Sequence, residues 1–456
     1  MRDIFLLAIL PLLVYAIFQR PFIGLGLWIW TALFNPNGWV YGMATGIRYN
    51  LLFAALTIAI FFLSKNKPKV KLTGVAGLVL LFFIWTTLSS IFCVGIAEVT
   101  WDFWGRLAKV LALFLFVLLI MEKKLHIDFF MWCLIFSVGF YAGVEGLKYI
   151  ASGGAHNIEG MAGHVLGDRN ELSLAMAMLL PICFYLLAEY GEKSWILKVG
   201  LLGLIVLVVT AIIGTSSRGG MIALASVGGY LFIKSKRKLL FAFLFVCIGS
   251  AMVGLIPAEW FSRMDTISNA SEDGSFMGRV IAWKLSFILA AKNPLFGGGF
   301  KALENGQIWY ALSQDFGLYS FFYTGSAVPN PFLSRAAHSI YFQVLGDHGF
   351  GGLIIFTSIL GLSFLNAGRV AKKTREANGP EWLFNLATML RLSIFAYAIG
   401  GAALSFAYFD MIYALFAVVI VLEYKILPAV IKDEELRQQN VSLPSETIPI
   451  AAPVAY

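Results

Sequence analysis

The feature that most constrains this chain is a series of apolar segments, each long enough for a membrane helix, that recurs along nearly the whole sequence. A helix needs about 20 apolar residues to cross the hydrocarbon core of a bilayer. Only 13% of the residues are charged, whereas a soluble domain carries roughly 25%. The sequence therefore predicts an all-α polytopic membrane protein. Its net charge of +8 is assigned to membrane topology and not to nucleic-acid binding.

The apolar segments define the candidate membrane spans. They cover residues 2–18, 21–41, 48–64, 73–95, 103–121, 127–149, 170–189, 195–214, 217–233, 238–256, 339–366, 384–406 and 409–427. Segment 21–41 contains two prolines, two asparagines and three tryptophans, a composition that also suits a re-entrant or interfacial segment. We therefore expect about 12 transmembrane helices with both termini in the cytoplasm.

Clusters of lysine and arginine orient these spans. The clusters lie at 65–71, 123–124, 234–238 and 369–375, and counting spans puts all of them on one side. The positive-inside rule makes that side cytoplasmic, so the polar segment 257–338 is external. Within it, residues 278–292 mix apolar and basic positions as an interfacial amphipathic helix would. The expected organisation is a transmembrane bundle (1–256), one large external loop with amphipathic helices (257–338), further transmembrane helices (339–430) and a disordered cytoplasmic tail (431–456).

No pattern in the sequence points to a metal or a cofactor. The cysteines lie inside apolar runs without metal-ligand spacing: Cys93, Cys133, Cys183 and Cys247. The external loops contain no Asp-x-Asp pair, and the chain has no nucleotide-binding fingerprint. The sequence therefore predicts no metal, no cofactor and packing roles for the cysteines.

Three arginines lie at the predicted external ends of spans. Arg218 occupies a short Gly-rich hairpin, where glycines let a ligand approach the backbone and the planar guanidinium suits phosphate oxygens. Arg279 is four residues before Trp283, so both share a helix face, and Arg169 follows Asp168 at a helix start. The structural alternatives are an arginine that reaches lipid headgroups, an anchor for an amphipathic helix, and a helix cap, respectively.

His338 is the strongest candidate for chemistry, because it stands where the external segment ends and the next span begins. Its ordinary pKa of about 6.5 lets a histidine accept a proton from a hydroxyl near neutral pH. The alternative is a structural histidine at a helix start. Arginines that hold a diphosphate and a histidine that activates a hydroxyl would together suit transfer of a sugar from a polyprenyl diphosphate. His156, His164 and His348 are weaker candidates.

These residues resemble the motifs of the O-antigen ligase superfamily over residues 168–352. The matching pieces are Asp168-Arg169-Asn170-Glu171-Leu172, Thr215-Ser216-Ser217-Arg218-Gly219, Gly278-Arg279 with Trp283 and residues 293–299, and His338-Ser339 with Asp347-His348-Gly349. Ser339 and Asp347 depart from the family, whose members often have Asn and Glu there. The N-terminal portion, residues 1–36, is similar to a branch described as O-glycosylation ligases.

The resemblance implies a GT-C-like membrane glycosyltransferase that is inverting and independent of metal. Its donor would be a glycan linked to undecaprenyl diphosphate, and its site would face the periplasm from the bacterial inner membrane. Arg218 and Arg279, with Arg169, would bind the diphosphate, and His338 would deprotonate or orient the acceptor hydroxyl. Asp410, at the last external turn, would be an orienting group or only an interfacial polar cap.

The acceptor stays open at this point. A hydroxyl of the lipid A–core oligosaccharide leads, followed by a Ser or Thr of a protein and by the growing glycan of a polymerase. A lipid or glycan transporter is the alternative from a different class. Transporters place their sites at the membrane midplane between repeats, whereas the ionisable groups here cluster at one face, which favours an enzyme.

Overall fold

The computed structural model describes residues 2–65, 72–161, 163–234, 238, 274–319, 328 and 330–442. These residues form helices and connecting loops without a strand, which confirms the all-α prediction. The helices are α1 (Arg2–Gln19), α2 (Pro21–Phe34), α3 (Tyr49–Leu63), α4 (Gly74–Ile91), α5 (Ala97–Ile120), α6 (Lys124–Ala151), α7 (Arg169–Tyr190), α8 (Trp195–Gly214), α9 (Arg218–Lys234), α10 (Gly274–Lys292), α11 (Gly306–Gln314), α12 (Ile340–Glu376), α13 (Glu381–Gly400), α14 (Asp410–Val421) and α15 (Leu427–Ser442).

Within the described ranges, 9 helices are long and apolar enough to cross a membrane, and α2, α3 and α9 are shorter apolar helices. The chain is therefore a multi-pass membrane protein. The predicted span 238–256 lies almost wholly outside the described residues. Large apolar side chains are exposed on the outer faces, for example Trp195 at 73% and Leu63 at 79%. Such a surface suits lipid, because a soluble protein rarely exposes large contiguous apolar patches. The central helix α7 is mostly buried and packs against α8, α9 and α13.

The two ends of the bundle differ in composition, and contacts between helices define them. The ammonium of Lys124, at the start of α6, lies over the rings of Tyr190, at the end of α7, and Trp382, in the first turn of α13. We call this end the basic end, because α12 also finishes there with Lys373 and Arg375. The opposite end, where α7, α9 and α12 begin, is the site end.

The N-terminal helices run differently from the sequence-based expectation. The Phe22 ring stacks on His126 near the start of α6, whereas the Phe34 carbonyl accepts a hydrogen bond from Tyr141 farther along α6, so α2 runs from the basic end to the site end. The Asp3 carboxylate accepts a hydrogen bond from the Tyr41 amide at 2.7 Å. Because α1 packs antiparallel to α2, it begins at the site end, in contrast to the expectation of both termini beside the basic clusters.

Two further segments differ from their predicted form. Segment 21–41 is not one continuous helix: α2 ends at Asn35 in the left-handed conformation, and a 3-10 turn follows over Pro36–Gly38. At the other terminus, α15 continues to Ser442, within the segment expected to be disordered. Residues 443–456 lie outside the described part of the chain.

A small helical unit beside the membrane helices carries part of the site. Helix α10 covers the predicted amphipathic stretch 278–292 and packs with α11 around an apolar cluster. A loop after α10 is bonded to a kink in α12: the amide of Gly298 donates to the Gly346 carbonyl at 2.8 Å, and the amide of Phe350 donates to the Pro294 carbonyl at 3.0 Å. Gly349 forms the kink with φ 69° and ψ −169°, a conformation open mainly to glycine.

Candidate functional site

His338 is held immediately before α12 in an unusual backbone conformation. Its φ is +47°, in the left-handed region that residues with a Cβ rarely adopt. Its amide donates to the Ser405 hydroxyl at 2.7 Å, and the preceding carbonyl, of Ala337, accepts from the Trp283 indole at 2.8 Å. The half-buried imidazole itself makes no hydrogen bond to the residues that the structure describes. The contacts that the structure describes therefore hold the backbone of His338 and not its ring nitrogens.

Helix α10 places Arg279 beside this histidine. The Trp283 ring, on the same face of α10, stacks on Phe342 in the first turn of α12, with ring centroids 5.3 Å apart. This contact fixes α10 against the start of α12, and the Arg279 side chain is half-buried there. The charge of Arg279 acts on the pKa of His338, so the two side chains are neighbours in space.

The electrostatics of this site favour a neutral imidazole. Burial lowers the pKa of His338 below its ordinary value of 6.5, and the positive charge of Arg279 lowers it further. Asp168 and Glu304 act in the opposite direction, and Lys301 adds to the lowering. The lowered pKa favours the neutral imidazole, which is the form that can accept a proton.

A second part of the site lies where α7 and α9 begin. Asp168 caps α7 through a reciprocal capping box with Glu171. The hydroxyl of Ser217, just before α9, donates to the side-chain oxygen of Asn170 at 2.7 Å. This bond joins the two motifs that carry Arg169 and Arg218, so both arginines stand in the first turns of adjacent helices and are half-buried. Helix N-termini attract anions, which adds to the charge of the arginines.

The loop between α13 and α14, residues 401–409, connects the two parts. A Cβ on Gly219 would lie 3.3 Å from the Gly400 carbonyl oxygen, so the start of α9 approaches the end of α13 closely. Five residues later, Ser405 binds the amide of His338. The helix starts that carry Arg169 and Arg218 are thereby gathered with His338 and Arg279 at the site end.

Asp410 reaches the same end, but its charge does not act on the His338 pKa. It is the first residue of α14 and is partly exposed. The charges that act on the His338 pKa come from four other residues, and Asp410 is absent from them. The orienting role of Asp410 stays a prediction.

The structure adds polar residues that the sequence reading did not assign. Asp347 is buried, and its carboxylate accepts from the Tyr408 hydroxyl at 2.9 Å and from the Lys301 amide at 3.1 Å. Together with Ser405 it lines a cavity of ≈ 10 Å³, which has space for roughly one water molecule and none for a sugar. The Asp347-His348-Gly349 motif gave a sequence signal for this cluster, whereas Ser405 had none.

The three weaker histidine candidates have structural partners. His348 is fully buried, with Nδ1 2.8 Å from the Ser89 hydroxyl, as expected for a packed residue. His156 pairs with Glu145 at 2.6 Å, and His164 lies 3.0 Å from the Ala32 carbonyl. Among the residues that the structure describes, no group of three or more His, Cys, Asp or Glu could hold a metal ion.

Comparisons with known proteins match two parts of the chain to families. Residues 1–191 match a family of unknown function (DUF5935), and residues 203–357 match the O-antigen ligase family. No curated protein matches the chain. The O-antigen ligase match contains Arg218, Arg279 and His338, and Arg169 lies within the other match. Over residues 203–357, this multi-pass membrane protein is similar to the O-antigen ligase family.

Proposed function

We propose that the chain is an O-antigen ligase that transfers a glycan from undecaprenyl diphosphate to a hydroxyl of the lipid A–core oligosaccharide. The observation that carries this proposal is the position of His338, a base with a lowered pKa beside Arg279 at one end of the membrane bundle. Both residues lie in the O-antigen ligase match. The positive-inside rule makes the basic end cytoplasmic, so the site end would face the periplasm from the inner membrane.

The arginines suit a donor with a diphosphate leaving group. A guanidinium presents a rigid fork of donors that matches phosphate oxygens in a bidentate contact. Arg169 and Arg218 stand at adjacent helix starts, and Arg279 approaches from α10. Positive groups fixed in advance can stabilise the charge that develops on the diphosphate as the glycosidic bond breaks, without a metal ion.

The proposed reaction is a single displacement with inversion. The neutral imidazole of His338 accepts the proton of the acceptor hydroxyl, and the hydroxyl oxygen forms a bond to the anomeric carbon of the glycan. The bond from that carbon to the diphosphate oxygen breaks, and its electron pair leaves with the undecaprenyl diphosphate. The proton then passes from His338 to solvent, which restores the base.

A hydroxyl of a protein or of a growing glycan could replace lipid A–core as the acceptor in the same mechanism. We therefore propose deletion of the gene in its host and complementation with the wild-type chain or with His338→Ala. Lipopolysaccharide and glycoproteins are profiled in parallel. Loss of long-chain lipopolysaccharide that only the wild type restores supports the ligase. Loss confined to protein glycans would replace it with a protein O-oligosaccharyltransferase, and shortened glycan chains alone would indicate a polymerase.

A transporter would give a different result in the same strains. Restoration of all glycans by His338→Ala, at equal membrane levels of the two proteins, would contradict a base at this position. It would favour movement of the lipid-linked glycan over its transfer.

A further inference from the structure

The backbone of His338 requires support from its surroundings. A non-glycine residue at φ +47° is disfavoured, and such conformations persist where neighbouring contacts determine them. His338 also lies between a loop and α12, and the next residue, Ser339, does not cap the helix with its side chain. The conformation of the catalytic candidate therefore depends on contacts from other elements.

Two hydrogen bonds supply that support, one from a residue before His338 in the chain and one from a residue after it. The Trp283 indole donates to the carbonyl that precedes His338, and Ser405 accepts the His338 amide. Trp283 belongs to α10 and Ser405 to the loop 401–409, so two independent elements hold one peptide segment. The buried Ala337 side chain restricts the same segment further.

We propose that Ser405 and Trp283 are positioning residues, a hydrogen-bond clamp that fixes the backbone of His338 and thereby the place of its imidazole. This inference rests on the proposed base role of His338 and adds to it the residues that set its geometry. Because α10 also carries Arg279, the Trp283 bond would hold His338 and Arg279 at a fixed distance from each other.

The clamp has a functional consequence because transfer depends on the distance between base and hydroxyl. A displacement of about 1 Å in a catalytic group can lower a rate by about 100-fold without contact between the changed residue and the substrate. Loss of the clamp should therefore lower kcat and leave KM nearly unchanged, since neither Ser405 nor Trp283 is assigned to substrate binding.

The structure offers a matched control for Ser405. Gln343, in the first turn of α12, accepts a hydrogen bond from the Ala407 amide at 3.0 Å. This bond joins the same loop to the same helix as the Ser405 bond does, but it does not involve His338. Gln343→Ala therefore reports the general loosening of the loop, and Ser405→Ala reports loosening plus loss of the His338 contact.

The test uses the purified full-length protein with an undecaprenyl-diphosphate-linked oligosaccharide and lipid A–core. Ser405→Ala should lower kcat by about 10- to 100-fold with KM within about twofold, and Ser405→Thr should regain most of the rate because it keeps the hydroxyl. Trp283→Phe, which keeps the ring stack and loses the donor, should give a smaller loss in kcat. Gln343→Ala should stay within about twofold of the wild type. Equal losses in Gln343→Ala and Ser405→Ala, or an unchanged kcat in Ser405→Ala, would overturn the clamp.

A second measurement tests the clamp without transfer activity. Diethyl pyrocarbonate modifies neutral imidazoles, and mass spectrometry gives the rate at His338 and, as an internal reference, at His156. Ser405→Ala and Trp283→Phe should raise the rate at His338 alone, whereas Gln343→Ala should not. Unchanged rates in both clamp variants would refute the clamp even if the acceptor proves to be another hydroxyl. Full activity of His338→Ala would instead refute the base role and the proposed mechanism.

Discussion

The basic end and the site end both place charged groups at the edge of the membrane, but they treat those groups in opposite ways. At the basic end, the buried carboxylate of Asp128 accepts from Lys124 at 2.6 Å and from the hydroxyls of Tyr185 and Tyr190. At the site end, neither the His338 imidazole nor the Arg169 guanidinium makes a hydrogen bond or ion pair to the described residues. At the basic end, the Asp128 carboxylate has its hydrogen-bond partners within the described residues. At the site end, the side chains of His338 and Arg169 have none there.

This difference separates stability from function. A buried polar group that keeps all its partners contributes to a fixed structure, and loss of one partner leaves the others unsatisfied. Ionisable groups that remain half-buried without partners at a membrane edge are expected to serve a ligand. Variants at the site end should therefore change catalysis, and variants at the basic end should change stability.

The largest expected effect is that of His338→Ala. Removal of a general base lowers a rate by about 10²- to 10⁴-fold. The variant should insert and fold as the wild type does, because the imidazole makes no hydrogen bond to the residues that the structure describes. The measurement is glycan transfer by the purified protein, with size-exclusion behaviour as the control for folding. Near-normal transfer would contradict the assignment of catalysis to the site end.

The arginines should give the next largest effect. Arg218→Ala and Arg279→Ala should each lower kcat/KM for the diphosphate-linked donor by about 10²-fold, since each would remove a preorganised positive group. Lysine at either position should restore only part of the rate, because it keeps the charge and loses the bidentate contact. Transfer that is unchanged at limiting donor would contradict a role in diphosphate binding. Arg169→Ala, measured in parallel, tests whether the third arginine belongs to the same site.

The dependence of kcat/KM on pH should show the influence of Arg279 on His338. Because burial and Arg279 lower the pKa of His338, the rate should fall as pH decreases through a midpoint below 6.5. Arg279→Gln removes a positive charge that disfavours protonation, so the midpoint of its normalised profile should move to higher pH. The measurement is kcat/KM against pH for both proteins. A midpoint that does not move would show that the two residues are not electrostatic neighbours.

The sequence allowed prediction of those features that depend on short stretches of chain. Length and apolar composition predicted the helices, and the amphipathic pattern predicted α10. Counting spans placed Arg218 and His338 at the same membrane face, and both lie at the site end. The direction of α1 could not be predicted from the sequence, because one short helix, α2, decides it.

The features that could not be predicted depend on contacts between distant parts of the chain. The Ser405 bond to His338 spans 67 positions and joins a loop to a helix start, so no periodicity marks it. His338 adopts its left-handed conformation between that bond and the one from the Trp283 indole, and no local sequence pattern marks it. Likewise, the interaction of the loop after α10 with the α12 kink needs two glycine-rich segments to meet in space.

A variant at the basic end tests the stability side of the comparison. Asp128→Asn should lower the melting temperature in detergent, because the amide cannot accept from Lys124 and two tyrosines as the carboxylate does. The rate of the folded protein should stay within about twofold of the wild type, because the change is at the opposite end of the bundle. A large loss of kcat with an unchanged melting temperature would show that the ends are functionally coupled.

The smallest expected effect is that of a chelator, because the proposed mechanism assigns charge stabilisation to arginines. EDTA should leave the transfer rate of the purified protein within about twofold of its starting value, whereas a metal-dependent glycosyltransferase should lose its activity in the same detergent. The assay uses a soluble micellar acceptor, because divalent cations also bridge the phosphates of lipopolysaccharide and their removal would alter a membrane. Strong inhibition that one metal ion reverses would mean that the donor diphosphate is bound through a cation. The half-buried arginines of the site end would then have to be reassigned to the lipid surface.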